Sequence, residues 1–203
     1  MKDLNVAGKL HTLSFSSSSE GLWERFCNGD RDALSTIYRN HVDDLFHYGM
    51  HFCRDSEIVK DCLQDLFQNL WMEREHLSSD VLNIRYYLLS SLRRRLLRSL
   101  VNLRKTATYS LPSSFDFELI PPQEEVIIQD EIHHHQVLQL REGIAALSRR
   151  QREAVYLRFY QNLSYSEVAH LMSMKTDSVY NLIYKAIGLL KNSILLLLLM
   201  SII

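Results

Sequence analysis

Residues Leu147–Lys191 read LSRRQREAVYLRFYQNLSYSEVAHLMSMKTDSVYNLIYKAIGLLK, and this stretch decides the fold. Two serine-led signals open apolar-periodic runs within it. Ser148-x-x-Gln151 and Ser164-x-x-Glu167 are capping boxes: the serine hydroxyl satisfies an orphan backbone N–H, and the residue three on reaches back. The second box predicts a short helix over Tyr165–Met172. Ser173-Met174-Lys175 break the pattern, and a longer helix starts near Thr176. A short helix, a three-residue turn and a second helix with a polar outer stripe form a helix-turn-helix, whose second helix suits the DNA major groove. On that helix Val179, Leu182, Ile183 and Ala186 make the inward face. Lys175, Thr176, Asp177, Ser178, Tyr180, Asn181, Tyr184 and Lys185 stay outside. Asn181 suits paired hydrogen bonds to adenine, Lys185 a phosphate or guanine edge, and Lys175 and Thr176 phosphates near the helix start. Each residue alone also reads as solvated and polar; the stripe carries the argument.

Working outward, 203 residues hold one ordinary domain or two small ones, and six Gly with three Pro favour helix. The net charge of -1 fails a whole-chain test for nucleic-acid binding, so its distribution matters more. Residues 1–84 carry 8 basic and 14 acidic side chains. Residues 85–105 carry 7 basic and none acidic, and residues 106–135 carry 6 acidic and none basic. The remainder carries 8 basic and 4 acidic. Such alternation points to segments with different partners.

Residues 1–20 end in the serine run Ser16–Ser19 and read as a disordered N-terminal arm. Residues 21–101 are helical in pattern throughout. Residues 102–130 hold Pro112, Pro121, Pro122 and the acids Asp116, Glu118, Glu124, Glu125 and Asp130, and read as a linker. Helical pattern resumes over 131–193, and 194–203 is an apolar tail. The expected fold is therefore all-α, with two small helical domains joined by an acidic extended linker.

In the first domain the clearest helix is Ile58–Trp71. Val59, Cys62/Leu63, Leu66/Phe67 and Leu70/Trp71 recur at helical spacing and form its buried face. Lys60, Asp61, Gln64, Asp65, Gln68 and Asn69 form the other, which reads either as a solvated face or as a docking surface for a basic partner helix. The next helix, Asn83 to about Leu100, interleaves Arg85, Arg93, Arg94, Arg95 and Arg98 with Tyr86, Tyr87 and leucines. Arginines neutralise phosphate and aromatics stack on unpaired bases, a combination suited to melted DNA. A basic solvent face or a membrane-surface helix is the alternative.

With both halves in view the chain resembles the extracytoplasmic-function (ECF) group of bacterial sigma-70 factors, over about Leu22 to Lys191. Two motifs carry the resemblance. Asp61-Cys62-Leu63-Gln64-Asp65-Leu66-Phe67-Gln68-Asn69-Leu70-Trp71 is similar to the family's D-x-x-Q-[DE]-x-F-x-x-[LV]-W helix. Leu147–Lys185 is similar to its L-P-x-x-x-R-x-[AV]-F…L-S-Y-x-E-[IV]-A…[ST]-V-x-x-x-[LI]-x-[RK]-A pattern. The resemblance implies a sigma region 2 helical bundle over 21–101 and a sigma region 4 helix-turn-helix over 131–193. It implies docking on core RNA polymerase through Asp61, Gln64, Asp65, Gln68 and Asn69. Arg85, Tyr86, Tyr87, Arg93, Arg94, Arg95 and Arg98 would meet the −10 element. Lys175, Thr176, Ser178, Tyr180, Asn181, Tyr184 and Lys185 would meet the −35 element. It further implies a cytoplasmic, non-enzymatic protein, promoter DNA as a partner, and a sequestering anti-sigma factor, often membrane-anchored. Arg94 stands where the family commonly has asparagine, and Ser173 replaces a frequent glycine at the turn.

The tether fits that geometry. A spacer of about 17 base pairs separates two promoter elements by roughly 60 Å. A free coil of about 30 residues spans only ~30 Å but reaches ~100 Å extended. Polymerase is the candidate for holding it out, along a positively lined path that attracts acids.

Other chemistries find little support. Cys27, Cys53 and Cys62 lack paired spacing and read as reduced thiols. His47, His51 and Cys53 offer no second ligand pair, and His133, His134 and His135 point about 100° apart on a helix, so no metal is expected. No phosphate loop or nucleophile–base pair suggests an enzyme, a cofactor or a small-molecule substrate. The ten-residue tail is about half the ~20 needed to span a bilayer. It reads as a helix extension packing on a partner, an interfacial anchor or a degradation signal. The rival function is a stand-alone helix-turn-helix regulator, which leaves the 61–71 motif and the tether unexplained.

Overall fold

The computed structural model describes residues 17–78, 81–106, 117 and 142–200. Among them every regular element is helical. Residues 1–16 of the expected arm, most of the expected linker and the last three residues of the tail lie outside the described residues, as do His133, His134 and His135.

The first bundle contains four α-helices among the described residues, α1 (Ser17–Cys27), α2 (Arg31–Phe52), α3 (Ser56–Met72) and α4 (Ile84–Thr106), with a 3-10 turn at Arg74–His76 before α4. Helix α1 already includes Ser17–Glu20, four residues that the sequence pattern assigns to the arm. The pull comes from Trp23 and Phe26, both fully buried, with the Trp23 indole N–H donating to the Ser78 carbonyl at 2.9 Å. Helices α2 and α3 start by the same device. Asp30 accepts from the Asp32 and Ala33 amides, and Asp55 accepts from those of Glu57 and Ile58. Val59, Cys62, Leu63, Leu66, Phe67 and Leu70 are the buried face of α3, as the periodicity predicts, whereas Trp71, expected there too, is half-buried at the end of the helix, with the Arg74 guanidinium 4.5 Å over its ring. Helix α4 runs six residues beyond Leu100. Neither Gly nor Pro occurs between Val101 and Thr106 to stop it.

The second bundle holds a helical segment at 142–146, then α5 (Arg149–Val155), α6 (Tyr165–Met172) and α7 (Thr176–Met200). Both capping boxes form. The Ser148 amide donates to Gln151 Oε1 at 2.8 Å, and the Ser164 amide to Glu167 Oε2 at 2.7 Å. In each case the serine hydroxyl accepts from the amide three residues on. Past Val155 the chain widens into a π-turn over Tyr156–Tyr160, closed by the Gln161 amide on the Tyr156 carbonyl at 3.0 Å. Helix α7 carries the chain to Met200, so the first residues of the apolar tail prolong it.

The two bundles touch. Helix α4 packs on α6, and the buried residues of both form one continuous apolar cluster. Phe117, from the expected linker, is fully buried in it. Its ring lies 5.9 Å from Tyr48, 5.3 Å from His51, 5.6 Å from Phe52 and 5.6 Å from Tyr156.

Candidate nucleic-acid interface and docking face

On α3, Asp61, Gln64, Asp65 and Gln68 are exposed and Asn69 is half-buried. Their spacing stacks them in one stripe along the helix. The stripe borders a groove of about 650 Å³ between α2 and α3, lined by Tyr38, Phe46, Leu63 and Phe67 among others. Tyr38, 46% exposed, meets Phe67 edge-on at 4.9 Å. An apolar trough with a polar, partly anionic rim can receive a helix that carries basic side chains beside apolar ones.

The two helices can sit this close because Gly49 faces Val59. A Cβ at position 49 would stand 2.5 Å from Val59 Cγ1.

The seven residues expected on the basic face of α4 are not brought together as one surface. Arg94 and Arg98 are exposed and Arg95 is partly so. Arg94 and Arg95 donate back to the Ser90 and Ser91 carbonyls. Tyr87 is packed edge-on against Trp23 at 5.2 Å, and burial pushes its phenol up from the ordinary range. Arg85, Tyr86 and Arg93 face the second bundle instead. Arg85 pairs with Asp44 of α2 at 3.1 Å and reaches the Gln161 carbonyl at 3.5 Å. The Tyr86 hydroxyl meets His170 Nδ1. Arg93 Nε donates to Glu153 Oε1 at 2.8 Å, and the Tyr48 hydroxyl donates to the same oxygen at 3.2 Å.

Glu153 is 2% exposed, a burial that sequence reading did not anticipate. Burial first, and the Glu153 charge second, push the Tyr48 phenol well above its ordinary range. Phe117 was also missed as a buried contact. Its one sequence signal is the pair of aromatics, Phe115 and Phe117, inside a polar, proline-bounded stretch.

The helix-turn-helix has the expected form. Ser173 adopts φ 55°, ψ 50°, and the Met174 amide returns to the Ala169 carbonyl at 2.8 Å, closing α6 with a left-handed cap. Val179, Ile183 and Ala186 are buried, and Leu182 is half-buried. Lys175, Thr176, Ser178, Tyr180, Asn181, Tyr184 and Lys185 are all exposed, with Tyr184 at 79%. Tyr180 is anchored by stacking on Tyr165, centroids 3.9 Å apart, and the Arg158 guanidinium lies 5.0 Å over the Tyr165 ring. That ladder fixes the first turn of α7 against α6, which a groove-reading helix needs.

His47 and His51 sit in different surroundings. His47 is exposed, its Nδ1 donating to the Asp43 carbonyl at 2.7 Å, whereas His51 is buried beside Phe117 and Tyr156.

Comparison with known proteins follows these two units. Residues 37–106 match the family Sigma-70 region 2, and residues 138–190 match Sigma-70, region 4. No curated protein matches the sequence. Among solved structures the chain is similar to CnrH in complex with the cytosolic domain of CnrY. There the TM-score is 0.57 at 16% identity, over 87% of this chain and 96% of that one. It is also similar to the sigma factor RpoE in complex with the anti-sigma factor NepR from Bartonella quintana. That match has a TM-score of 0.55 at 15% identity, over 79% of this chain and 95% of that one. These likenesses concern the fold. The region matches together span more than half of the sequence, the first holding the docking stripe and most of the arginine-rich helix and the second the helix-turn-helix, and the chain belongs to the sigma-70 family.

Proposed function

We infer that this protein is an ECF-type sigma factor, a non-enzymatic cytoplasmic subunit that gives core RNA polymerase its promoter specificity. The observation that carries the reading is the pairing of two surfaces on one chain. The stripe of Asp61, Gln64, Asp65 and Gln68 lies exposed beside an apolar groove, and the outer face of α7 lies exposed after a well-formed turn. A stand-alone regulator has use for the second surface only. Core polymerase would seat a helix on the first. Lys175, Thr176, Ser178, Tyr180, Asn181, Tyr184 and Lys185 would then read the −35 element in the major groove. Asn181 and Lys185 would supply base contacts, and Lys175 and Thr176 phosphate contacts.

Arg94, Arg95 and Arg98, with Arg85, Tyr86, Tyr87 and Arg93 once uncovered, would hold the −10 region. The acidic tether would run along a cationic path on polymerase. An anti-sigma factor, membrane-anchored in the usual arrangement, would control access to these surfaces. The reading involves no cofactor, metal or small-molecule substrate. Among the described residues no helix is long and apolar enough to cross a membrane.

The test is run-off transcription from a genomic-fragment pool with core polymerase, comparing wild type with Asp61→Ala/Asp65→Ala. Both aspartates are exposed, so the variant keeps its fold by circular dichroism. The reading expects new start sites that depend on the protein and weaken at least tenfold with the variant. No new starts, together with specific binding of duplex half-sites by the protein alone, would leave the stand-alone regulator instead.

A further inference from the structure

The outer stripe of α7 carries a single acid. From Lys175 to Lys185 the sequence reads KTDSVYNLIYK, and Asp177 is its only carboxylate, exposed in the first turn of the helix. Every phosphate repels a negative charge, so on a face that meets DNA this residue needs a role other than holding the backbone. Its place on the helix supplies one. Val179, Ile183 and Ala186 are buried and mark the inward line of α7. At about 100° per residue, Asp177 and Asn181 stand nearly opposite that line. Ser178 and Lys185 flank them on one side and Tyr180 on the other. A helix seated in the major groove turns its outermost line to the base edges and its flanks to the phosphates. Asp177 is therefore aimed at bases.

The carboxylate is also uncommitted. No hydrogen bond or ion pair to another of the described residues engages it. Glu167, the other acid of the helix-turn-helix, has both oxygens in use, one on the Ser164 amide and one on Asn83. The turn that carries Asp177 is held in place, because Tyr180 three residues on stacks on Tyr165 of α6 with centroids 3.9 Å apart. Base chemistry then selects the partner. In the major groove guanine offers N7 and O6 and thymine offers O4, all acceptors that repel a carboxylate. Adenine sets its N6 donor beside the N7 acceptor, whereas the cytosine N4 amino group donates with no acceptor next to it.

We propose that Asp177 is a specificity-determining residue of the −35 contact, its carboxylate accepting a hydrogen bond from the N4 amino group of a cytosine. This rests on the sigma reading above and deepens it. The spacing from Asp177 to Asn181 is about 6 Å along the helix axis against about 3.4 Å per base pair, so the cytosine lies about two base pairs from the adenine that Asn181 reads. The phosphates oppose the carboxylate, so its contribution is less to affinity than to rejection of guanine and thymine.

The probe is a promoter recovered by the run-off test above, with about eight base pairs of its upstream element randomised and a barcode in the transcribed region. Core polymerase transcribes this pool with full-length wild type, Asp177→Asn or Asp177→Ala, and barcode counts give the base preference at each position. Wild type should favour cytosine at one position by about fivefold or more. Asp177→Asn replaces a pure acceptor by a donor–acceptor pair and should move the preference there to adenine. Asp177→Ala should flatten that position and leave the others unchanged. An acid that only complements the helix dipole predicts something different: activity lowered evenly across all templates, with no change in base preference. That result overturns the proposal. Asp177→Asn keeps the side-chain shape, so it decides if Asp177→Ala loses helical circular dichroism. Failure of the wild type to start transcription on any genomic fragment sinks the sigma reading and this contact with it. Transcription with identical preferences in all three proteins keeps the sigma reading and discards the base contact.

Discussion

Ser173 holds a left-handed conformation that glycine adopts without cost, since a Cβ there crowds the neighbouring carbonyl. The residue is exposed and its amide closes α6, so nothing else fixes its identity. Ser173→Gly should therefore stabilise the second bundle by about 1 kcal/mol, read as a higher midpoint in urea with an unchanged slope. The same substitution should leave the seven outer residues of α7 in place and run-off activity intact. This strain was legible in the sequence because a helix cap is a local device: residue types at fixed offsets decide it. The two capping boxes were legible for the same reason. Glu153 was not. It sits beside Ala154 on the edge of an amphipathic pattern, and only the approach of Arg93 and Tyr48, 60 and 105 residues away, turns a solvated-looking glutamate into a buried one.

Helices α2 and α3 show what an element pair demands that neither sequence announces. The apolar periodicity of α3 predicts its buried face up to Leu70, but nothing in that pattern says how near α2 must come. Gly49 sets the distance, because Val59 occupies the space a Cβ would need. Alanine is the better helix former by roughly 1 kcal/mol, yet overpacking a tight contact costs about 1–3 kcal/mol. Gly49→Ala should thus destabilise the first bundle by about 1 kcal/mol or more, measured by urea unfolding. In a Val59→Ala background the clash is gone, and the same change should become neutral or stabilising, a sign reversal that a double-mutant cycle detects. The groove beside Tyr38 and Phe67 depends on this spacing, so Gly49→Ala should also weaken capture of core polymerase. Helix α4 repeats the lesson. Its charge was plain from composition, but the division of its arginines between an open side and a covered side follows from the approach of Glu153 on α5 to Arg93 and of Asp44 on α2 to Arg85.

For the whole molecule, alternating charge blocks and a proline-rich connection identified two helical units, while their contact depended on Phe117 and on a histidine read as ordinary. His51 is 7% exposed, on α2, with Phe117 and Tyr156 against its ring. Burial first, and the nearby His47 second, lower its pKa to about 4. In the unfolded chain the imidazole titrates near its ordinary value of about 6.5. Between those two values the unfolded chain binds a proton that the folded protein refuses, so stability rises with pH across that window. The contribution is complete above about pH 6.5, is lost progressively on acidification, and is gone below about pH 4. From pH 7 to pH 5 the loss amounts to about 2 kcal/mol for this group alone. The groups nearest to it are His47 on the same helix, the Tyr48–Glu153 contact one residue along, and the phenol of Tyr156, which burial holds up beyond the neutral range. None of these phenols gains or loses a proton between pH 5 and 7, so the slope comes from His51 together with His41, whose pKa burial first and the Arg85 charge second also lower. Separating the two bundles rehydrates the side of His51 that Phe117 and Tyr156 cover, which relieves part of the penalty, so acid should part them before it unfolds the chain. Small-angle X-ray scattering at pH 7, 6 and 5 should show expansion of the wild type ahead of any loss of helical circular dichroism. His51→Phe, which keeps an aromatic ring in the cluster and removes the titrating group, should stay compact over the same range and lose much less thermal stability. Parallel slopes for the two proteins would place the acid sensitivity elsewhere in the first bundle.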